Sequence, residues 1–361
     1  MGTNRSLRIL ISPLDWGLGH TTRCVPLIAY MQQLGHVITF AGNEWQRAYI
    51  TETFPGIDTI HIDGYEVHYP RQGWEFMLNL FRQIPRLLKT IKKEHAALMN
   101  ITATRQFDAI ISDNRYGLYH PTIPSVIMTH QLLAKSGMGA IFDDILRRIH
   151  YRRLQWYSQC WVIDVPGKPN LSGTLGNPRV IPDNAKFLGL LSQITPQQGT
   201  EQHLMILLSG PEPQRTILSE ILWKQVQDHK GKVVFVEGSN NATKPQSIPT
   251  HISYYTRITK EQLEPLLVAA SMVICRSGYS TVMDLVALGK KAIFIPTPGQ
   301  TEQEYLGAHL HKEGVYYCAH QSHFNLQKAL VGAAKFPYKK PALKNPMEQY
   351  KTVVKDWLDS L

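Results

Sequence analysis

No apolar run in this chain approaches the ~20 residues that a bilayer-spanning helix needs. The longest, such as LMILL at 204–208 and AIFIP at 292–296, have the length of strands. Cysteine is scarce: Cys24, Cys160, Cys275 and Cys318 stand far apart with no CxxC pair, which excludes a zinc ribbon or a dithiol redox motif and fits reduced thiols in a cytoplasmic compartment. The first residues, MGTNRSLRILISPLDWG, carry an apolar run that Pro13 and Asp15 break short of signal-peptide length, so secretion is not expected. Low-complexity segments are missing too. With 43% hydrophobic and 18% charged residues, the composition is that of a folded globular protein. Zinc-finger spacing, an RNP-like aromatic motif and a basic recognition helix are all lacking, which sets nucleic acid aside as a partner.

Positive charge, by contrast, is in excess. Lys and Arg number 38 against 28 Asp and Glu, a net charge of +10 that asks for an anionic partner: a phosphorylated small molecule or an acidic membrane surface. At 361 residues the chain has room for about two domains. Short runs rich in Val, Ile and Leu alternate with helical patterns through both halves, as in LRILIS, HVITFA and DAIIS, then LMILLS, KVVFVEG and KAIFIP. That alternation predicts an α/β protein with two parallel sheets, each covered on both faces, and ligands at the carboxyl ends of the strands in a cleft that both sheets face. The expected division is a first domain at 1–165 and a second at 201–335. A Pro-, Gly- and Asn-dense connection at 166–200 separates them, and a helix within 336–361 returns to the first domain.

Two stretches carry the chemistry. The first, DWGLGHTTR, follows the opening strand. Gly17 and Gly19 allow the loop backbone to approach a ligand closely, and His20 is a side chain suited to accept a proton near neutral pH. Asp113, which ends a later strand, either orients the His20 ring, caps the next helix or pairs with Arg115. Arg115, His130 and Gln131 lie at the ends of neighbouring strands and are candidates to contact an acceptor. The second stretch is MVICRSGYSTVMDLVALGKKAIFIPTPGQTEQEYLGAHL, at 272–310. It reads as strand, loop, helix, strand and loop. Ser277, Gly278, Ser280 and Thr281 open the helix, where backbone N–H groups and hydroxyls suit a diphosphate. Asp284, about one turn on, suits ribose hydroxyls, while Gln303 and Glu304 suit a sugar. The histidine pairs His309/His311 and His320/His323 lack the flanking Cys or carboxylates of a metal site.

This second stretch resembles the donor-binding half of the family 28 glycosyltransferases, the group of the peptidoglycan lipid-intermediate N-acetylglucosaminyltransferase. The matching positions are Cys275 to Gly278, Thr281, Asp284, Pro296, Gln303 with Glu304, and Tyr305. Asp284 and Glu304 replace the family's usual Glu and second Gln. Ser209 and Gly210, in LLSGPEPQR, fall where the family has a phosphate loop, and Gln193 falls where it often has a phosphate-binding arginine, leaving Arg276 or Arg215 to supply a cation. The resemblance implies the GT-B fold, two Rossmann-like domains with the nucleotide sugar held by the second. It also implies inverting, metal-independent transfer of a hexose or N-acetylhexosamine from a UDP-sugar, with no cofactor and with His20 as general base. The expected setting is cell-envelope or surface glycoconjugate synthesis. A nucleotide-sugar hydrolase is the alternative, since Gly17, Gly19, His20 and Arg23 also satisfy a Gly-x-Gly-His-x-x-Arg pattern found in hydrolases of related fold. A non-catalytic sugar-nucleotide-binding protein is a third reading.

Two basic amphipathic segments, 74–99 and 141–157, are either ordinary domain helices or a peripheral contact with an anionic membrane on the cytoplasmic side, where a lipid-linked acceptor would be met.

Overall fold

The structure is a computed structural model that describes residues 5–65, 75–133, 139–239 and 244–361, with 75–84, 140 and 142 described through the backbone alone. The chain divides into two compact units. One holds residues 5–65, Met77–Gln193 and Leu343–Leu361, and the other holds Ile194–Ala342.

In the first unit the chain runs β1 (Arg8–Pro13), α1 (Leu18–Gln33), β2 (Val37–Gly42), α2 (Glu44–Thr53), β3 (Asp58–His61), α3 (Glu75–Thr104), β4 (Ala109–Asp113), β5 (Ser125–Thr129), α4 (Ala140–Leu154), β6 (Gln159–Val162) and β7 (Ala185–Phe187). These strands form one seven-stranded parallel sheet in the order β3-β2-β1-β4-β5-β6-β7. Every residue of β4 and β5 is buried, as a sheet with helices on both faces requires. Local sequence fixes the helix starts. At α2 the Asn43 side chain accepts from Gln46 N at 3.1 Å while Gln46 Oε1 accepts from Asn43 N at 3.2 Å, a reciprocal cap.

The second unit repeats the plan: β8 (His203–Leu207), α5 (Gln214–Val226), β9 (Val233–Val236), β10 (Ile252–Tyr255), α6 (Lys260–Val268), β11 (Ala270–Cys275), α7 (Tyr279–Leu288), β12 (Ala292–Phe294), α8 (Thr301–Lys312), β13 (Tyr317–Cys318) and α9 (Leu326–Ala334). Its six strands, all parallel, are ordered β10-β9-β8-β11-β12-β13. Helix α7 stops at Gly289, whose left-handed φ of 63° caps its last carbonyls. In both sheets the order reverses beside the first strand, between β1 and β4 and between β8 and β11. Loops diverge there and leave a crevice at the carboxyl ends.

The Pro- and Gly-dense stretch at 166–200 is not a free connection. Residues up to Gln193 belong to the first unit, because β7 pairs with β6 in register from Cys160↔Ala185 to Val162↔Phe187. Buried Asp164 pins the preceding turns: its carboxylate accepts from Val165 N at 2.7 Å, Leu171 N at 3.2 Å and Ser172 N at 2.7 Å, and from the Ser172 hydroxyl. Side-chain bonds to backbone replace periodicity here, which is why the sequence pattern reads as loop. The second unit extends to Ala342, with Tyr338 donating to Ala292 O at 3.3 Å.

Helix α10 (Gln349–Asp359) closes the chain on the first unit. Trp357 meets Trp161 edge-on with ring centroids 5.2 Å apart, and Gln349 Nε2 donates to Phe187 O at 2.8 Å. The approach needs a glycine at 189: a Cβ there would lie 2.3 Å from Pro346 O.

Candidate active site

Gly17 forms the N-cap of α1 with φ 119°, a conformation that excludes most side chains, and so turns the chain out of β1 directly into the helix. Gly19 lies inside the first turn and needs no such conformation. His20 is the third helical residue, and Arg23, one turn further, shares its face. Across the reversal point, Pro13 of β1 is in register with Asp113 at the end of β4. Asp113 is thereby delivered to His20.

His20 Nδ1 lies 3.1 Å from Asp113 Oδ2. Arg23 grips the same carboxylate with two donors, Nε at 2.6 Å from Oδ2 and Nη2 on Oδ1. The guanidinium continues outward, with Nη2 2.8 Å from His20 Nδ1 and Nη1 3.1 Å from His130 Nδ1. Asp113 is fully buried and the Arg23 side chain 2% exposed, whereas His20 keeps 15% of its surface. Burial opposes ionisation of Asp113, yet the Arg23 guanidinium and the His20 ring outweigh it and hold the carboxyl at about 2. The His20 pKa is lowered, first by burial and then by Arg23, against the pull of Asp113. His20 is therefore a neutral imidazole at pH 7, with one nitrogen engaged and the other left to meet a proton. Burial pushes the neighbouring Cys24 thiol well up, so Cys24 is no nucleophile.

The remaining first-unit candidates separate. His130 is brought into the cluster through Arg23, and Gln131, half-buried, follows it past the end of β5. Arg115 does not join them. Asn114 adopts a left-handed φ of 57° and turns Arg115 inward, where it is fully buried with Nε on Glu94 Oε1 at 2.5 Å. Asp113 thus pairs with Arg23 and not with Arg115. Arg115 is structural, and the acceptor-contact role expected for it is withdrawn.

In the second unit, Ser209 and Gly210 are exposed past β8, Gly210 at φ 103° with open space where a side chain would project. Across the reversal, β11 ends at Cys275 and the chain continues through Arg276 and Ser277 to Gly278, which caps α7. A Cβ at Gly278 would also meet nothing, so this helix start has room for a ligand. Ser280, Thr281 and Asp284 are half-buried on the first two turns. A helix start of this kind offers first-turn N–H groups to an anion.

Arg276 stands apart from the expectation of direct ligand contact. It is 1% exposed, and its guanidinium donates to Ile295 O at 3.0 Å, Pro296 O at 3.1 Å and Gln214 O at 2.7 Å. Burial lowers its pKa to about 10, which leaves it charged at pH 7. Its role is to tie together the loops after β11 and β12 and the start of α5. Arg215 is likewise engaged, donating to Gly238 O at 2.7 Å and pairing with Glu212. Ser277 Oγ is buried and donates to Gln303 O at 2.7 Å. Gln303 and Glu304 each commit one oxygen to the loop before α8, to Thr297 N at 2.9 Å and Gly299 N at 2.8 Å. Gln193, at the position of the family's phosphate-binding arginine, accepts from Tyr49 OH at 2.7 Å within the first unit.

Among the described residues no three His, Cys, Asp or Glu side chains cluster as metal ligands, and His311 is occupied as acceptor from Cys318 N at 3.1 Å. The sequence reading missed Arg23 as the hub of the first site. The His-x-x-Arg spacing, which places both on one helix face, was the available signal.

Residues 214–357 match the model of the glycosyltransferase family 28 C-terminal domain. The chain is 31% identical over 137 residues to the UDP-N-acetylglucosamine--N-acetylmuramyl-(pentapeptide) pyrophosphoryl-undecaprenol N-acetylglucosamine transferase of Pasteurella multocida, covering 35% of this chain and 39% of that protein. The chain thus spans less than half the length of the curated relatives it matches. Among solved structures, the glycotransferase of kitacinnamycin superposes with a TM-score of 0.67 at 15% identity over 99% of both chains. The MurG of Acinetobacter baumannii superposes with a TM-score of 0.61 at 13% identity over 99% of this chain and 100% of that one. With two parallel α/β units that match these glycosyltransferases along their whole length, the protein has the GT-B fold, and its residues 214–357 are similar to the C-terminal domain of the family 28 glycosyltransferases.

Proposed function

We propose that the protein is an inverting glycosyltransferase that moves a hexose or N-acetylhexosamine from a UDP-sugar to an acceptor hydroxyl, without metal or cofactor. The observation that carries this reading is the His20–Asp113 pair at the strand-order reversal of the first sheet, in a chain whose residues 214–357 match the family 28 C-terminal domain. His20 takes the acceptor's hydroxyl proton on Nε2 as the oxygen attacks the anomeric carbon. The bond from that carbon to the diphosphate breaks, and UDP leaves. The start of α7 at Gly278, Ser280 and Thr281, together with Ser209 and Gly210, receives the diphosphate. Asp284 takes the ribose hydroxyls, and Gln303 and Glu304 take the sugar. Gly17, Gly19, His130 and Gln131 border the acceptor. The Pasteurella multocida relative, named for transfer to a pyrophosphoryl-undecaprenol, suggests a lipid-linked acceptor in cell-envelope synthesis. The test is sugar release from labelled UDP-sugars with and without a lipid extract: product on lipid supports transfer, and equal release into water from donor alone overturns it in favour of hydrolysis.

Asp284→Ala should weaken UDP binding by about 1–3 kcal/mol, the cost of removing a charged acceptor from ribose hydroxyls. Calorimetry checks this, and an unchanged affinity removes Asp284 from the site.

A lipid acceptor also requires contact with a bilayer. No described helix is long and apolar enough to cross one. Helix α4 instead exposes Ile141 (80%), Ile145 (48%) and Ile149 (54%) at four-residue spacing, with exposed Arg148 and Arg152 beside them and exposed Trp156 just beyond. In the other basic segment, Trp74 and the side chains at 75–84 lie outside the described residues, as does the side chain of Phe142 in α4. Each basic residue at an anionic surface contributes about 1 kcal/mol, screened by salt. The protein should sediment with phosphatidylglycerol vesicles at low salt, be released at high salt and ignore neutral vesicles. Ile145→Glu with Ile149→Glu should abolish sedimentation at any salt, and wild-type protein that never sediments refutes the contact.

A further inference from the structure

Arg23 is buried, yet it makes more of the first site than any other side chain, and the reaction proposed above gives it no task. A guanidinium only donates hydrogen bonds. His130 Nδ1, 3.1 Å from Arg23 Nη1, is consequently the acceptor of that bond. His20 Nδ1 is contested: Arg23 Nη2 lies 2.8 Å away as a donor, and Asp113 Oδ2 lies 3.1 Å away as an acceptor. With Nδ1 accepting from Arg23, the His20 proton is on Nε2 and that nitrogen is no base. With Nδ1–H donated to Asp113, Nε2 carries the lone pair. Arg23 competes for the same carboxylate through Nε at 2.6 Å and Nη2.

We propose that Arg23 is a positioning residue that keeps His20 neutral by occupying Asp113, while its donor to Nδ1 holds part of the ring as the resting Nε2–H tautomer; the reactive tautomer is the one with Nδ1–H turned to Asp113. A carboxylate alone beside His20 would draw a proton onto the ring and leave it an imidazolium near neutral pH, unable to accept another. The Arg23–Asp113 pair is neutral as a unit and keeps the ring neutral, while Asp113 stays within reach to stabilise the imidazolium formed during the reaction. Among the described residues, the ionisable groups that act on His20 are Arg23 on its own helix, Asp113 at the end of β4 and His130 beyond β5. Cys24, whose thiol donates to His20 O at 3.3 Å, stays neutral.

The inference rests on the proposed role of His20 only in its kinetic arm, because the ring can be titrated directly. In wild-type protein, NMR of the His20 ring should show a pKa below the usual 6.5 and a neutral form with population at Nε2–H. Arg23→Gln should raise that pKa by about 1–3 units, the effect of an opposite charge within a few ångströms once its competitor is gone, and shift the neutral tautomer to Nδ1–H. Arg23→Lys, which keeps the charge without the fork, should fold, keep the pKa low and still shift the tautomer. In turnover, the acid limb of the pH profile should move up in Arg23→Gln and return toward wild type in Arg23→Lys, with donor KM unchanged in both. A His20 titration and tautomer unaltered in both variants overturns the proposal whatever the protein's activity. Altered titration without any transferase activity supports the proposal and removes the proposed function instead.

Discussion

His20→Ala is expected to lower turnover by ~10²-fold or more while UDP-sugar affinity stays near the wild-type value, since general-base catalysis contributes on that scale and the donor contacts are assigned to the other unit. Neither nearby carboxylate is placed to take over. Asp113 is fully buried and held at about 2 with Arg23 on both oxygens, so it has little basicity to offer. Asp15 accepts from Tyr65 N at 3.0 Å and is committed to holding that turn. The lowered pKa of His20 sets the sign of the pH dependence: the neutral base is present at and above pH 6.5, and activity falls as pH drops through the depressed pKa. Single-turnover kinetics with a calorimetric donor titration separate the two quantities. Full turnover in the variant would remove His20 from the chemistry.

The parts of this site legible in the sequence were those that backbone geometry dictates. Apolar runs of strand length in alternation with helices predict a parallel sheet, and a glycine turn after the first strand of such a sheet falls at the strand-order reversal, so topology together with the family resemblance placed His20 and the Gly278 loop at strand ends. What the sequence could not rank was competition between side chains for one partner. Asp113 has Arg115 two residues away and Arg23 ninety away, and proximity along the chain favours Arg115. The left-handed turn at Asn114 sends Arg115 to the opposite side, toward Glu94, and leaves the carboxylate to Arg23. The same limit applies to Arg276: its place in the motif suggests a phosphate contact, whereas three backbone carbonyls, from residues nineteen, twenty and sixty-two positions away, take its donors. A motif places a residue in a loop, and only the packing of the loop decides which way the side chain turns.

Glu94 carries no motif, and its replacement should have the largest effect on stability in the first unit. It lies on α3, 4% exposed, and three donors from two segments converge on its carboxylate: Arg115 Nε at 2.5 Å and Gly117 N at 2.7 Å from the loop after β4, and Tyr65 OH at 2.7 Å. Burial, reinforced by the adjacent carboxylate, pushes the Tyr65 phenol well up, so it remains a donor at any working pH. The fit is close, since a Cβ on Gly117 would lie 2.7 Å from Glu94 Oε2 and 2.5 Å from Ile91 O. Arg115, fully buried, has Asp63 O as a further partner at 2.5 Å, which cannot neutralise its charge. Glu94→Ala leaves that guanidinium uncompensated and two further donors unsatisfied, and is expected to cost about 3–5 kcal/mol. Glu94→Gln keeps the shape and an acceptor oxygen and should cost less. Because two units need not unfold together, the measurement is hydrogen exchange at β4 and β5, where protection should fall in Glu94→Ala while β8 and β11 keep theirs. Equal protection of β4 in wild type and variant would mean that the buried Arg115 guanidinium does not depend on Glu94 for its compensation, and would overturn the role assigned to this carboxylate.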